Sequence, residues 1–430
     1  MLRYERLTMH TGFTAVLRIC PRWSLEGSTQ MHYLGIDWAD EKHDVCLLAA
    51  DGRVLSQLSI AHDLTGFQKL YDLLKSLDEV SINLERSDGL LVDWLTCQPW
   101  PIYITQPVAV HHRRPRRSKD DRGDAYLLAH LLRVGDPECR LFLTHSPIVQ
   151  HLKQLTQAYD SVLREQRRLT NRLIYLLKQY YPAALKAFVV PHSAIMLTFL
   201  EQYPTPQTAR AASQADLRAF LKANHYRGAD KKATELYQRI QLPTPHASVQ
   251  AGLVEHVRVL LPLLQSLFRS RAHLEKQIEQ VFASHPEASW WKSLPGLNGP
   301  LTAARLLARI GDNRERFPSA QVLQAVAGTA PVTRRSGKQI QVEFRIACCH
   351  ELRKAMDDMA RQSVKHSGWA LAYVEAQRAR GRHAARANRA LANRWLSIIW
   401  KLWKTRTPYD EQVHVLNRSR QGKPAQTNVA

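Results

Sequence analysis

No unbroken apolar run in the 430 residues is long enough to cross a bilayer; the best candidate, residues 257–268, is short and leads into Arg269 and Arg271. The mildly apolar stretch 12–20 is cut by Arg18, so a signal peptide is not expected, and the cytoplasm is the expected compartment. Cysteine is sparse: Cys20, Cys46, Cys97, Cys139, Cys348 and Cys349 include no Cys-x-x-Cys pair, and no histidine cluster has zinc-finger spacing. Reduced structural thiols are the expectation. Internal repeats and low-complexity tracts are absent as well. Acidic residues are scarce, with 38 Asp and Glu against 60 Lys and Arg, a formal net charge of +22. That imbalance says nothing about fold, but it favours a polyanionic partner, because each phosphate contact releases counterions. The plainer reading is a basic protein with no such partner; a membrane surface is disfavoured because the basic residues are spread over many segments.

What is present suggests two or three domains. Residues 1–30 have no clear periodicity and read as an upstream extension, with Met31 as the natural start. From there, residues 33–37, 44–50 and 54–60 read as three strands of an antiparallel meander, with an Asp51-Gly52 turn. A helix over 64–77, a strand over 80–84, a helix near 90–95, a strand over 102–104 and a helix over 121–133 follow. This order predicts a ribonuclease-H-like domain over 31–140, a mixed sheet with helices on both faces. Residues 145–185 and 249–282 carry long helical patterns that predict an antiparallel coiled coil within a helical region 145–287. A mostly helical domain is expected over 288–410 and a frayed tail over 411–430. The fold class is therefore α/β plus all-α.

Four carboxylates stand where they can converge. Asp37 ends the first strand and Glu85 follows the fourth, while Asp121 and Asp124 lie three apart on one helix face. Gathered together they would repel unless a cation compensates, and oxygen ligands of this kind suit Mg²⁺ or Mn²⁺, which can activate a nucleophile at a phosphodiester. Taken singly, each is more simply a turn or cap residue. The basic run Arg113, Arg114, Arg116, Arg117 and Lys119 reads either as a solvated charge run or as a loop on nucleic-acid backbone.

In the C-terminal part, Gly296 and Gly299 sit in a turn before a helix over 301–310, where free backbone N–H groups suit a phosphate. Ser336, preceded by Arg334 and Arg335 and followed by Lys338, is a possible nucleophile at a phosphodiester, with the guanidinium groups steadying charge. Residues alone favour the simpler alternative, a basic surface loop that binds backbone without chemistry. Six arginines between 378 and 394 are expected on one helix, with Trp395, Trp400 and Trp403 as core aromatics rather than base-stacking platforms.

Three N-terminal motifs, Gly35-Ile36-Asp37, Glu85 and Lys119-Asp120-Asp121-Arg122-Gly123-Asp124-Ala125, precede five C-terminal ones. Those are Leu294-Pro295-Gly296, Ala327-Gly328-Thr329-Ala330-Pro331-Val332-Thr333, Ser336-Gly337-Lys338, Ala390-Leu391-Ala392 and Pro408-Tyr409-Asp410. In this order they resemble the DEDD insertion-sequence transposases over about residues 31–415. Asn298 is an extra residue in the glycine turn, Asp88 stands where the family usually has glycine, and Asp120 where threonine is common. The resemblance implies that Asp37, Glu85, Asp121 and Asp124 bind the metal and that Ser336 forms a covalent phosphoserine link to DNA. It also implies a homo-oligomer, dimer or tetramer, whose two kinds of site meet across protomers. A structured non-coding bridge RNA would select the DNA partners. A stand-alone junction-resolving nuclease and an inactive nucleic-acid-binding remnant are the competing readings.

Overall fold

The computed structural model describes residues 30–114, 121–188, 190, 193–240, 247–297, 299–336, 339–413 and 416. The chain forms two compact units, divided between Thr144 and His145; the proposed extension 1–30 lies, but for its last residue, outside the described residues.

The first unit is built on a six-stranded sheet. Strands β1 (Met31–Asp37), β2 (Lys42–Ala49) and β3 (Val54–Ala61) form the expected antiparallel meander. Helix α1 (Leu64–Leu74) starts on the Asp63 carboxylate, which accepts from the Gly66 N–H, and buries Phe67, Leu70 and Leu74. It leads into β4 (Glu79–Leu84), which pairs parallel with β1. Helix α2 (Leu90–Thr96) then leads to β5 (Ile102–Ile104), parallel to β4. Two elements were not expected: helix α3 (Pro107–Arg113), which ends on the first residue of the basic run, and a two-residue edge strand β6 (Arg140–Leu141), antiparallel to β5 and following α4 (Asp121–Arg133). Proline at the first helical position starts α3, a signal the run of basic residues masks in sequence. The strand order is β3-β2-β1-β4-β5-β6, which leaves β1 central. One face is packed with Leu34, Ile36, Ile82 and Leu84 against α1 and α2, and on the other Cys46 and Leu48 pack with Ala125 and Ala129 of α4.

The second unit is helical apart from one hairpin. Helix α5 (Pro147–Tyr180) is capped by Ser146, and six-residue α6 (Pro182–Ala187) follows it. Four short helices, α7 (Ala194–Gln202), α8 (Pro206–Ala211), α9 (Gln214–Ala223) and α10 (Ala229–Ile240), precede the long α11 (Ala247–Ala283). Helices α5 and α11 run antiparallel. Val149 and Leu152 near the start of α5 share a core with Ile278 and Phe282 near the end of α11. Tyr159 donates to Glu275 at 2.9 Å, and Leu173, Leu176 and Leu177 meet Val257, Leu260 and Leu264. Among the described residues α11 is the one helix that length and composition would let cross a membrane, which counting unbroken apolar runs did not find. Val254, Val257, Leu260, Leu261 and Leu264 are buried among α5 to α10, whereas Val259 and Leu263 are exposed, and Pro262 lies within the helix.

Helices α12 (Ala288–Lys292), α13 (Pro300–Ile310) and α14 (Ala320–Val326) lead to a hairpin of β7 (Val332–Ser336) and β8 (Gln339–Glu343). Then come α15 (His350–Ser363), α16 (Gly368–Ala379) and α17 (Ala384–Thr405). The core of these helices also takes in the start of α5 and the end of α11. Buried Arg305 on α13 ties the segments together, donating to Asp160 of α5 at 2.8 Å and to Asp358 of α15 at 3.4 Å. Trp395 and Trp403 are fully buried and Trp400 packs on the same core, so these aromatics are structural, as expected. The six arginines, however, do not share a helix: α16 ends before Arg380, and α17 begins at Ala384. Gly381, at φ +75°, makes the break that the alanine-rich composition conceals.

Candidate functional sites

The central strand and one helix build the acidic site. Asp37 is the last residue of β1; Ile36 pairs with Leu84 in the parallel β1–β4 ladder, so Glu85 follows one step later on the neighbouring strand. Asp121 and Asp124 occupy the first turn of α4, where the helix dipole favours carboxylates. What brings α4 to β1 is a missing side chain. A Cβ on Gly35 would stand 2.0 Å from the carbonyl oxygen of Ala125 and 2.4 Å from the amide nitrogen of Ala129, so only glycine lets the helix backbone lie on the strand. Asn83, fully buried on β4, fixes the helix further on, donating to the Leu128 carbonyl at 2.8 Å while its own side-chain oxygen accepts from Thr105 at 3.0 Å. Sequence reasoning missed both supports, although Gly35 stands two residues before Asp37 in a strand, where glycine is otherwise unfavourable.

Asp37, Asp121 and Asp124 each offer a carboxylate oxygen, and these oxygens all lie within 4.8 Å of one another. Asp124 is buried, Asp37 half-buried and Asp121 exposed, giving a site open on one side. Three hard oxygen donors at this spacing suit a divalent cation. Glu85, half-buried, is outside that trio. The arginines beside the site do not stand free. Arg114 forks onto Asp124, Nε to Oδ1 at 2.7 Å, and Arg113 at the end of α3 pairs with Asp136. Buried Asp124 thus has a counter-charge within the chain itself. Arg116, Arg117 and Lys119 lie outside the described residues.

Ser336 is exposed, on a strand rather than in a loop. In the β7–β8 ladder Ser336 pairs with Gln339, Arg335 with Ile340, Arg334 with Gln341 and Thr333 with Val342. Alternation along a strand puts Ser336, Arg334, Gln339, Gln341 and Glu343 on one face, and Arg335, Thr333, Ile340 and Val342 on the other. Arg334 is therefore the arginine beside Ser336, paired with Glu343 at 3.1 Å, and Arg335 points away. Lys338 lies outside the described residues. Gly296, at φ +84°, turns inward: a Cβ there would meet the backbone of Ser363 at 2.7 Å. It is a packing glycine, whereas Gly299, the N-cap of α13, has open space around its Cβ position.

A model described as a transposase, of the DEDD type of IS110, matches residues 34–182, and one for the transposase IS116/IS110/IS902 family matches residues 289–375. The chain is 33% identical over 403 residues to the mini-circle candidate transposase for IS117 of Streptomyces coelicolor, covering 88% of this chain and 95% of that protein. It is 28% identical over 303 residues to the 43.6 kDa protein of insertion element IS110 from the same organism, covering 70% and 74%. The 42 kDa protein of insertion element IS900 of Mycobacterium paratuberculosis is 24% identical over 388 residues, covering 88% and 96%. The chain belongs to the transposase IS116/IS110/IS902 family.

Proposed function

We propose that the chain is the recombinase of an insertion sequence, cutting and exchanging DNA strands with a divalent-metal acidic site and a nucleophilic serine. The observation that carries this reading is the convergence of Asp37, Asp121 and Asp124 from distant parts of the chain. Residues 31–140 are the ribonuclease-H-like module, 145–287 the coiled-coil assembly region and 288–410 the serine module, followed by a tail over 411–430.

Asp37, Asp121 and Asp124, with Glu85 on the neighbouring strand, would hold Mg²⁺ or Mn²⁺; when bound, the ion supplies Lewis-acid stabilisation of charge at a phosphate oxygen. Ser336 Oγ forms a bond to phosphorus as the bond to the leaving sugar oxygen breaks. The serine proton passes to a base and the leaving oxygen takes up a proton; the reverse reaction with a new strand end rejoins DNA. Arg334, on the same face, and Lys338 steady the phosphate charge. Arg113, Arg114, Arg116, Arg117, Lys119, Arg335 and Gly299 belong to the nucleic-acid surface in this reading, whereas Gly296 packs inward. The family resemblance supports a structured bridge RNA, a homo-oligomer and action on the nucleoid in the cytoplasm.

The test pairs Ser336→Ala with Asp121→Asn. Purified protein is given donor and target DNA plus RNA transcribed from the sequence flanking the gene, and a denaturing gel reads the covalent protein–DNA adduct. The parent forms the adduct in Mg²⁺, S336A forms none, and D121N loses strand exchange. Cleavage that survives in S336A without an adduct points instead to a junction-resolving nuclease and overturns the serine role.

A further inference from the structure

Two arginines meet on one aromatic ring at the root of the hairpin. Phe344 directly follows β8 and remains 45% exposed. The guanidinium carbon of Arg389, on α17, lies 4.2 Å from its ring centroid, and that of Arg353, on α15, lies 4.4 Å away. Arg353 donates to the carbonyl of Arg345, whose own Nε donates to the Ala330 carbonyl at 3.3 Å. Room for Arg353 is made by Gly328, at φ +66°, where a Cβ would stand 2.2 Å from the Arg353 guanidinium. The site is therefore held by main-chain oxygens, an aromatic face and a glycine gap.

Its charge is poorly matched from within. One carboxylate, Asp357, acts electrostatically on Arg353, Arg389 and Arg361 together. The Nε atoms of Arg353 and Arg389 are buried without a hydrogen-bond partner among the described residues. Cation–π packing alone would account for one arginine on Phe344, but it gives no reason to press two like charges onto one ring. Guanidinium forks match phosphate oxygens in charge and in bidentate geometry.

We propose that Arg353 and Arg389, stacked on Phe344, form a clamp for a DNA backbone phosphate and hold the strand whose scissile phosphate meets Ser336. The clamp rests on the reading of Ser336 as nucleophile. Five residues of strand separate Phe344 from the Gln339–Ser336 pair, about 17 Å, or roughly five base-pair steps of axial rise. The clamp thus grips flanking DNA while Ser336 acts further along the same ribbon.

The experiment measures binding of a labelled duplex carrying the element's junction, by fluorescence anisotropy, with the full-length parent, R353Q/R389Q and S336A between 50 and 200 mM salt. Losing the clamped phosphate flattens the log-affinity against log-salt slope by about 0.9, so across this range the parent loses roughly 3.5-fold more affinity than the double variant. An unchanged slope in a double variant that melts like the parent overturns the clamp. So does a slope change confined to an RNA duplex of the same length. In case R353Q/R389Q fails to fold, phenylglyoxal modification of the parent, read by mass spectrometry, gives an independent answer: DNA protects Arg353 and Arg389, and equal modification with and without DNA refutes the proposal. S336A separates the two ideas. An adduct persisting in S336A removes the serine nucleophile, while a parental slope in R353Q/R389Q removes the clamp alone.

Discussion

Gly35→Ala is a one-carbon change that should dismantle the acidic site from beneath. The new Cβ would lie 2.0 Å from the Ala125 carbonyl oxygen, 2.4 Å from the Ala129 nitrogen and 3.0 Å from the Leu128 Cβ. Two of these three are backbone atoms of α4 and cannot rotate away. Ordinary van der Waals contact begins near 3.4 Å, so the helix must retreat by at least about 1 Å, an overpacking strain of roughly 1–3 kcal/mol. Asp121 and Asp124 ride on that helix while Asp37 stays on β1, so the trio opens by a similar distance. A misplacement of about 1 Å at reacting groups costs on the order of 100-fold in rate. Calorimetric titration with Mn²⁺ should show at least tenfold weaker binding, strand cleavage should fall about 100-fold, and the far-ultraviolet circular dichroism should be unchanged. Gly252→Ala is the control: this exposed helical glycine has nothing within 4 Å of its Cβ position, and alanine there should stabilise by up to about 1 kcal/mol. If G35A binds Mn²⁺ and cleaves like the parent, the close approach of α4 to β1 does not position the site.

Arg114→Ala removes the fork from buried Asp124 and should lower the metal-free unfolding free energy, read from urea titration, by about 1–3 kcal/mol; added Mn²⁺ should restore most of the loss, and no restoration would mean that Asp124 does not take part in metal binding. Arg305→Met strands Asp160 in the core with Lys354, 3.8 Å away, as its remaining ion pair among the described residues, and a loss of about 3 kcal/mol is expected in thermal melts of the full chain. Burial, reinforced by neighbouring His62, lowers His43 from its ordinary 6.5 to about 4. The unfolded chain takes up that proton near pH 6.5, so the contribution is complete above pH 6.5 and falls by up to about 3 kcal/mol as pH drops to 4. His43→Gln should flatten that part of the stability–pH curve, and an unaltered curve would assign the acid sensitivity elsewhere.

Local patterns were read well where one physical signal dominated. Short apolar runs gave β1 to β5, and 3.6-residue spacing gave α1, α4, α5 and α11, because each buries apolar residues that leave a local pattern even where, as in β2, α5 and α11, they serve two cores. Short or composite elements were missed. Helix α3 begins on Pro107 and then runs into basic residues, and β6 is two residues long, with no pattern to detect. Residues 378–394 look helical throughout because alanine and arginine both favour helix, yet Gly381 breaks them at positive φ. The β7–β8 hairpin was hidden because its residues are nearly all exposed, so no buried face marks its period.

The sequence by itself determined which residues could do the chemistry: carboxylates at strand and helix ends, a serine among basic residues, and a family order of motifs. These are local facts of residue type and spacing. Only the tertiary structure decided which of them meet. Asp37 joins Asp121 and Asp124 because Gly35 lacks a side chain and Asn83 fixes α4 from the neighbouring strand. Strand alternation puts Arg334 rather than Arg335 beside Ser336, and Arg353 and Arg389, from separate helices, come together on Phe344. Convergence of this kind depends on backbone distances between segments far apart in the chain, and no window along the sequence contains them.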